Sequence, residues 1–126
     1  MKIITIKQPW ATLIAEGYKQ YEFRSWKTKY RGPLLIHTGK AIDKEAMKRF
    51  ADLNLLYPKS KIIAKVGLED CILIDEKFNK KLSKESNEIY GTDDKRGLYA
   101  WKLSNVEKLN INEEIKGKLG LWNIEI

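Results

Sequence analysis

The sequence predicts an α+β fold built on a mainly antiparallel, barrel-like β-sheet with two to three flanking helices. Three observations carry this reading. About six segments have strand character. Only two segments have the spacing of real helices. Strands and helices do not alternate in the βαβ rhythm that a parallel sheet requires. No repeat, low-complexity tract or long linker interrupts residues 1–126, so one domain is expected.

The elements follow in order. "KIITIK" (2–7) is short and β-branched, which favours a strand. "QPWATLIAEG" (8–17) reads as a helix. Pro9 suits its first position, Leu13 and Ile14 share a face with Trp10, and Gly17 suits the left-handed residue past its end. "YEFRS" (21–25) alternates as a strand, with Tyr21 and Phe23 on one face and Glu22 and Arg24 on the other. "WKTKYRG" (26–32) is a basic loop, and "PLLIHT" (33–38) is a buried-type strand. "DKEAMKRFADL" (43–53) is an amphipathic helix capped by Asp43, with Ala46, Met47, Phe50 and Leu53 inward. "KIIAKVGLEDCILI" (61–74) is a long strand in which Gly67 marks a bulge or a close backbone approach. Residues 75–97 are polar, with at most a short helix, and form the expected mobile part. "LYAWKLSNVEKL" (98–109) is a strand with a bend near Ser104–Asn105. "KLGLWNIEI" (118–126) closes the chain as a strand with Leu119, Leu121 and one of Ile124 or Ile126 inward.

Composition narrows the function classes. Hydrophobic residues make up 43% and charged residues 33%, the balance of a globular chain. A single cysteine, Cys71, forbids an internal disulfide and fits a reduced, cytoplasmic setting. "IITI" (3–6) is too short for a signal peptide or a membrane span. One His and one Cys are too few for a zinc site, and the chain has no P-loop, GxGxxG, nucleophile elbow or HExxH, so no metal or cofactor is expected. The net charge of +7 is uneven. Residues 1–65 hold fourteen Lys/Arg against five Asp/Glu, whereas residues 66–126 hold ten against twelve. A one-sided basic field favours a polyanionic partner such as nucleic acid.

Two stretches could carry chemistry. In "GYKQYEFRSW" (17–26), Glu22 and Arg24 point the same way on a strand, and Lys19 in the preceding turn can reach the same space. A carboxylate between two cations stays ionised and orients both, which suits a grip on a phosphate, a carbonyl or a base edge. A strand-surface ion pair is the plainer alternative. In "SWKTKYRG" (25–32), Lys27, Lys29 and Arg31 alternate with Trp26, Thr28 and Tyr30, a pattern suited to phosphates and stacked bases. The alternative is a solvated loop with Trp26 and Tyr30 packed inward. Trp10 and Trp26 are candidate pocket walls, and Trp10 also fits the core. His37 reads as a hydrogen-bonded core residue and Cys71 as inert core. Glu69 and Asp70 are adjacent, so they face opposite sides of a strand.

The stretch "KQPWATLIAEGYKQYEFRSWKTKYRGPLLIHTGK" (7–40) resembles the ASCH domain, the activating-signal-cointegrator homology family. Gly17, Lys19, Glu22 and Arg24 match its GxKxxExR motif at every fixed position. Gln8–Trp10, the W-x-T-x-x-R-G run from Trp26 to Gly32, and "KGKLGLW" (116–122) resemble the cointegrator-like branch. The resemblance implies a PUA-like fold and a cleft lined by the motif. It also implies binding of RNA, single-stranded nucleic acid or a nucleotide, with a link to transcription coactivation or RNA metabolism. One branch resembles an N4-acetylcytidine amidohydrolase in which a Thr at the motif's Glu position is the nucleophile and the motif Lys its base. Here that position is Glu22, which cannot replace a hydroxyl acyl acceptor. If the chain is an enzyme, Lys19 and Glu22 are its candidate catalytic residues, and neither Glu85 nor Glu88 is assigned as a further acid. The expected binding set is Lys19, Glu22, Arg24, Trp10, Trp26, Lys27, Lys29 and Arg31.

Overall fold

β1 (Lys2–Gln8) lies parallel to β3 (Gly32–Ile42), and every other pairing in the sheet is antiparallel. The computed structural model describes residues 1–125. The remaining strands are β2 (Tyr21–Arg24), β4 (Ile62–Leu73), β5 (Tyr99–Lys108) and β6 (Leu121–Asn123). Their order across the sheet is β2-β5-β4-β3-β1-β6. The α+β class is as expected, but the sheet is not closed into a barrel. Closure would pair the two edges, and here β2 and β6 stand at opposite ends of the order. β2 has four residues and β6 three, so neither edge is long enough to extend far around the core.

The described residues hold four helices, one more than the two to three expected: α1 (Trp10–Ala15), α2 (Lys44–Arg49), α3 (Glu76–Glu85) and α4 (Asn87–Tyr90). Among the described residues, no helix is long and apolar enough to cross a membrane. In α1, Ala11–Ala15 are all buried. The helix begins under Gln8, itself fully buried, whose Oε1 accepts from the Thr12 N–H at 3.0 Å. Gln8 Nε2 donates to Thr12 Oγ1 and Pro58 O, so both ends of its amide are satisfied. Pro9 occupies the cap position just before the helix. Gly17 ends the segment at φ 85°, where a side chain would be strained. Asp43 caps α2 by accepting from the Ala46 N–H at 3.1 Å, and a 3₁₀ turn, Ala51–Leu53, prolongs that helix.

Residues 75–97 differ from the expectation of at most a short helix. Asp75 and Ser86 cap α3 and α4, and Leu82, Ile89 and Tyr90 bury themselves with Tyr21, Phe50 and Ala100. The few apolar residues of this polar stretch thus fall on its inner side. The β4–β5 register shifts between Lys65 and Gly67, opposite the bend where Asn105 takes φ 51°. The close approach expected at Gly67 is present, since a Cβ there would stand 3.3 Å from Ser104 Oγ. At the C-terminal end, Leu121 packs against the core and Trp122 is buried, but Leu119 is almost wholly exposed. The Gly120 turn (φ 66°) precedes β6, so Leu119 lies outside the strand alternation that would turn it inward. Ile124 packs against the small cluster around Ile3 and Trp122, and Ile126 lies outside the described residues.

Residues 109–120 form a strap over the far face of the sheet, where Leu109, Ile111 and Ile115 cover Ile3, Leu35 and Ile62. His37 pins this strap. Its Nε2 faces the Ile115 carbonyl at 2.6 Å and therefore donates, so its Nδ1 accepts from Thr5 Oγ1 at 3.0 Å. Burial holds the His37 pKa below its ordinary value, which keeps the ring neutral, as this hydrogen-bond pattern requires. Gly117 closes over the same pair, and a Cβ there would stand 2.9 Å from Thr5 Oγ1. Gly117→Ala is expected to lift the strap and cost about 1–3 kcal/mol, read as a lower denaturation midpoint in urea. An unchanged midpoint would show that the strap is not pinned at this point.

Candidate functional site

The turn between α1 and β2 sets the site. The Leu13 carbonyl accepts from the N–H groups of Tyr18 and Lys19, which folds the chain back over the helix. The Lys19 ammonium thereby reaches 5.1 Å from the ring centres of both Trp10 and Phe23. The strand alternation of β2 then sends Glu22 and Arg24 to the same side. Lys19 Nζ donates to Glu22 Oε1 and Arg24 Nη2 donates to Glu22 Oε2, each at 3.0 Å. Arg24 Nη2 also donates to the Thr5 carbonyl at 3.0 Å, tying edge strand β2 to β1. Arg24 Nε is buried without a partner, and Nη1 takes none among the described residues.

Lys19 and Glu22 are 5% and 8% exposed, so this is a buried ion array rather than a strand-surface pair. Burial pushes the Glu22 carboxyl pKa up, but the charges of Lys19 and Arg24 and their hydrogen bonds outweigh it. The net direction is down, and the carboxylate stays ionised. Each of its oxygens accepts one of these bonds.

The array lies in a cleft of about 570 Å³. The lining includes Trp10 and Phe23 as aromatic wall, Tyr90 from α4, and Thr5 and Lys7 from β1. Four of the eight residues expected to bind therefore meet here: Lys19, Glu22, Arg24 and Trp10. The other four, Trp26, Lys27, Lys29 and Arg31, do not line this cleft. Trp26 stacks edge-on to Trp101 at 4.9 Å and keeps 37% of its surface exposed. Lys27 and Lys29 project into solvent, and Arg31 is held by the Thr28 and Tyr30 carbonyls and by Asp70 at 3.5 Å. Tyr30 packs against the core, as the alternative reading of that loop had it. Glu85 and Glu88 do not line the cleft either.

Sequence reasoning missed four further charged residues of the lining, Asp43, Arg49, Asp93 and Lys95. Asp43 Oδ2 accepts from Trp10 Nε1 at 3.3 Å, so the helix cap also orients the aromatic wall. Arg49 donates to the Glu88 carbonyl at 2.7 Å and bridges α2 to α4 beside the cleft. Asp43 was legible as a helix cap, but nothing local showed that it and Arg49 line the cleft.

Because the folded-state pKa of Glu22 is depressed, its contribution to stability is present above the ordinary carboxylate value of 4.5 and is lost as pH falls below it. Thermal melts should show this loss in the native chain and a weaker one in Glu22→Gln. Glu22→Ala should cost about 3–5 kcal/mol, since it leaves the buried Lys19 ammonium and the half-buried Arg24 guanidinium without their shared counter-charge. A cost near zero would mean that the array is solvated.

Comparison with known proteins places the fold and the family. The chain is 28% and 27% identical to "Activating signal cointegrator 1" of Mus musculus and Homo sapiens, over 134 aligned positions in each case. These alignments cover 97% of this chain but only 22% of each cointegrator. Its fold is similar to the crystal structure of ASCH from Zymomonas mobilis, with a TM-score of 0.59 at 13% identity, covering 98% of this chain and 87% of that one. A mutant of that protein aligns with a TM-score of 0.56 at 14% identity, covering 98% and 89%. The ASCH domain family model matches residues 4–114, nearly the whole described sheet and every residue of the cleft lining. The chain belongs to the ASCH domain family.

Proposed function

We propose that this ASCH domain is a nucleic-acid- or nucleotide-binding module whose cleft takes one base of RNA or single-stranded DNA. The observation that carries the reading is the buried Lys19–Glu22–Arg24 array, set against an aromatic wall in a cleft of nucleotide size. Trp10 offers a stacking face, and Arg24 Nη1 and the spare Lys19 protons offer donors to a carbonyl or ring nitrogen. The exposed Lys27 and Lys29, beside a partly exposed Trp26, form a second contact for the flanking strand. A role in transcription coactivation or RNA metabolism, suggested by the similarity to the cointegrator, belongs to the same proposal. Hydrolysis of a modified nucleoside or RNA by Lys19 and Glu22 is disfavoured. Glu22 is no hydroxyl nucleophile, and its lowered pKa makes it a weak base.

Fluorescence anisotropy with labelled single-stranded RNA and DNA at rising salt tests the proposal. Affinity should fall linearly on a log–log plot, by about 0.7 in slope for each phosphate neutralised. Lys27→Ala with Lys29→Ala should reduce that slope while leaving the fold intact. Arg24→Ala should weaken binding at every salt concentration. Affinity that ignores salt and is unchanged in Arg24→Ala would overturn the reading.

A further inference from the structure

We propose that Lys95 is the anion-holding residue of the cleft, and that the ligand is a phosphorylated nucleoside whose phosphate displaces Asp93 from the Lys95 ammonium. The inference rests on the cleft being a nucleotide site and goes beyond it by naming where the phosphate sits.

Lys95 belongs to "GTDDKRG" (91–97), a polar loop bracketed by Gly91 at φ 68° and Gly97 at φ 90°. Such a lysine would ordinarily reach into water, yet Lys95 is only 8% exposed. The backbone around it is pinned. Asn79 Oδ1 accepts from the Lys95 N–H at 3.1 Å, the Leu98 N–H donates to the Lys95 carbonyl at 3.1 Å, and Ser83 Oγ donates to the Gly91 carbonyl at 2.9 Å. The side chain then enters the cleft, where its ammonium lies 5.7 Å from the Phe23 ring centre. Lys19 approaches the same ring at 5.1 Å. One aromatic side chain therefore carries two buried ammonium groups.

Their counter-charges differ. Lys19 is tied to Glu22, which is buried and shared with Arg24. Lys95 donates to the Tyr90 carbonyl and, at 3.1 Å, to Asp93 Oδ1. The Asp93 side chain is 79% exposed and only two residues away. Its carboxylate is already largely hydrated and can swing into water, provided that an incoming anion replaces it as the counter-charge of the buried ammonium. Gly91 makes room for the folded-back position, since a Cβ there would stand 2.9 Å from Asp93 Oδ1. A buried cation that costs solvation to place, and whose carboxylate is exchangeable, is suited to an incoming anion. The Lys19–Arg24 end takes the base and the Lys95 end takes the phosphate. The exchange of one oxygen anion for another needs no covalent change.

Calorimetric titration with adenosine, cytidine, their 5′- and 3′-monophosphates and a dinucleotide tests this. One monophosphate series should bind about tenfold tighter than its nucleoside. The 5′ and 3′ arms show which phosphate is held, and the dinucleotide shows whether a chain phosphodiester serves as well. Lys95→Gln should abolish the preference for the monophosphate. Asp93→Asn should enlarge the preference, and as an exposed substitution it decides the matter if Lys95→Gln fails to fold. An equal preference in native protein and Asp93→Asn, or none in the native protein, would overturn the assignment of Lys95 alone if nucleosides still bind. Absence of binding by nucleosides and monophosphates alike would overturn the cleft reading with it.

Discussion

The buried carboxylate of Glu22 is the constraint on which the site depends. Desolvation works against its charge, and only two cations held at 3.0 Å make the charged form stable. Each cation is there for a structural reason. Lys19 is returned toward Trp10 by the turn after α1, and Arg24 is on the same strand face as Glu22. Replacing a buried ion array by apolar residues of equal volume is often neutral or stabilising. Such an array is therefore weak as an explanation of stability and stronger as one of specificity, because it fixes the positions of the donors that it leaves free.

The array also reaches beyond β2. Arg24 bonds to the Thr5 carbonyl, Thr5 Oγ1 bonds to His37, and His37 donates to the Ile115 carbonyl of the strap. Thr5 thus serves the cleft with its backbone and the opposite face of the sheet with its side chain. Edge strand β2, central strand β3 and the strap are joined through one residue of β1. This bracing suits an open sheet. Without barrel closure, a four-residue edge strand has one neighbour, β5, and the Glu22–Arg24–Thr5 contacts supply a second attachment. Charges turned inward on a short edge strand also discourage another chain from pairing there.

Much of this was legible because it is local. The alternation of Tyr21 to Arg24, the Asp43 cap, the left-handed Gly17 and the close approach at Gly67 each follow from a few neighbouring residues. What was not legible depends on long-range packing. Barrel closure depends on where the edges end, which no single strand pattern reveals. α3 and α4 have few apolar residues, and only the partners Tyr21 and Phe50 show that Leu82 and Tyr90 are buried. Lys95 lies among charges in the sequence, and its burial is visible only once the loop is folded against Asn79. The basic loop was legible as chemistry but not as position. Lys27 and Lys29 are exposed as expected, yet they lie outside the cleft that holds Lys19.

That separation bears on how one small domain could read a polymer. In the proposed role, the cleft lined by Lys19, Arg24 and Lys95 holds one nucleotide, and the specificity of such a grip comes from fixed donors and an aromatic wall. An exposed basic loop supplies affinity without sequence information, since phosphates are alike along the chain. If the two surfaces were one, salt and base identity would affect the same contacts and could not vary independently. Here the buried array is shielded from ions by its burial, whereas Lys27 and Lys29 are screened within a Debye length of about 10 Å at 0.1 M salt. On the proposed reading, recognition is divided between an interior that discriminates and a rim that attracts. Glu22, by neutralising part of the interior charge, keeps those two roles distinct.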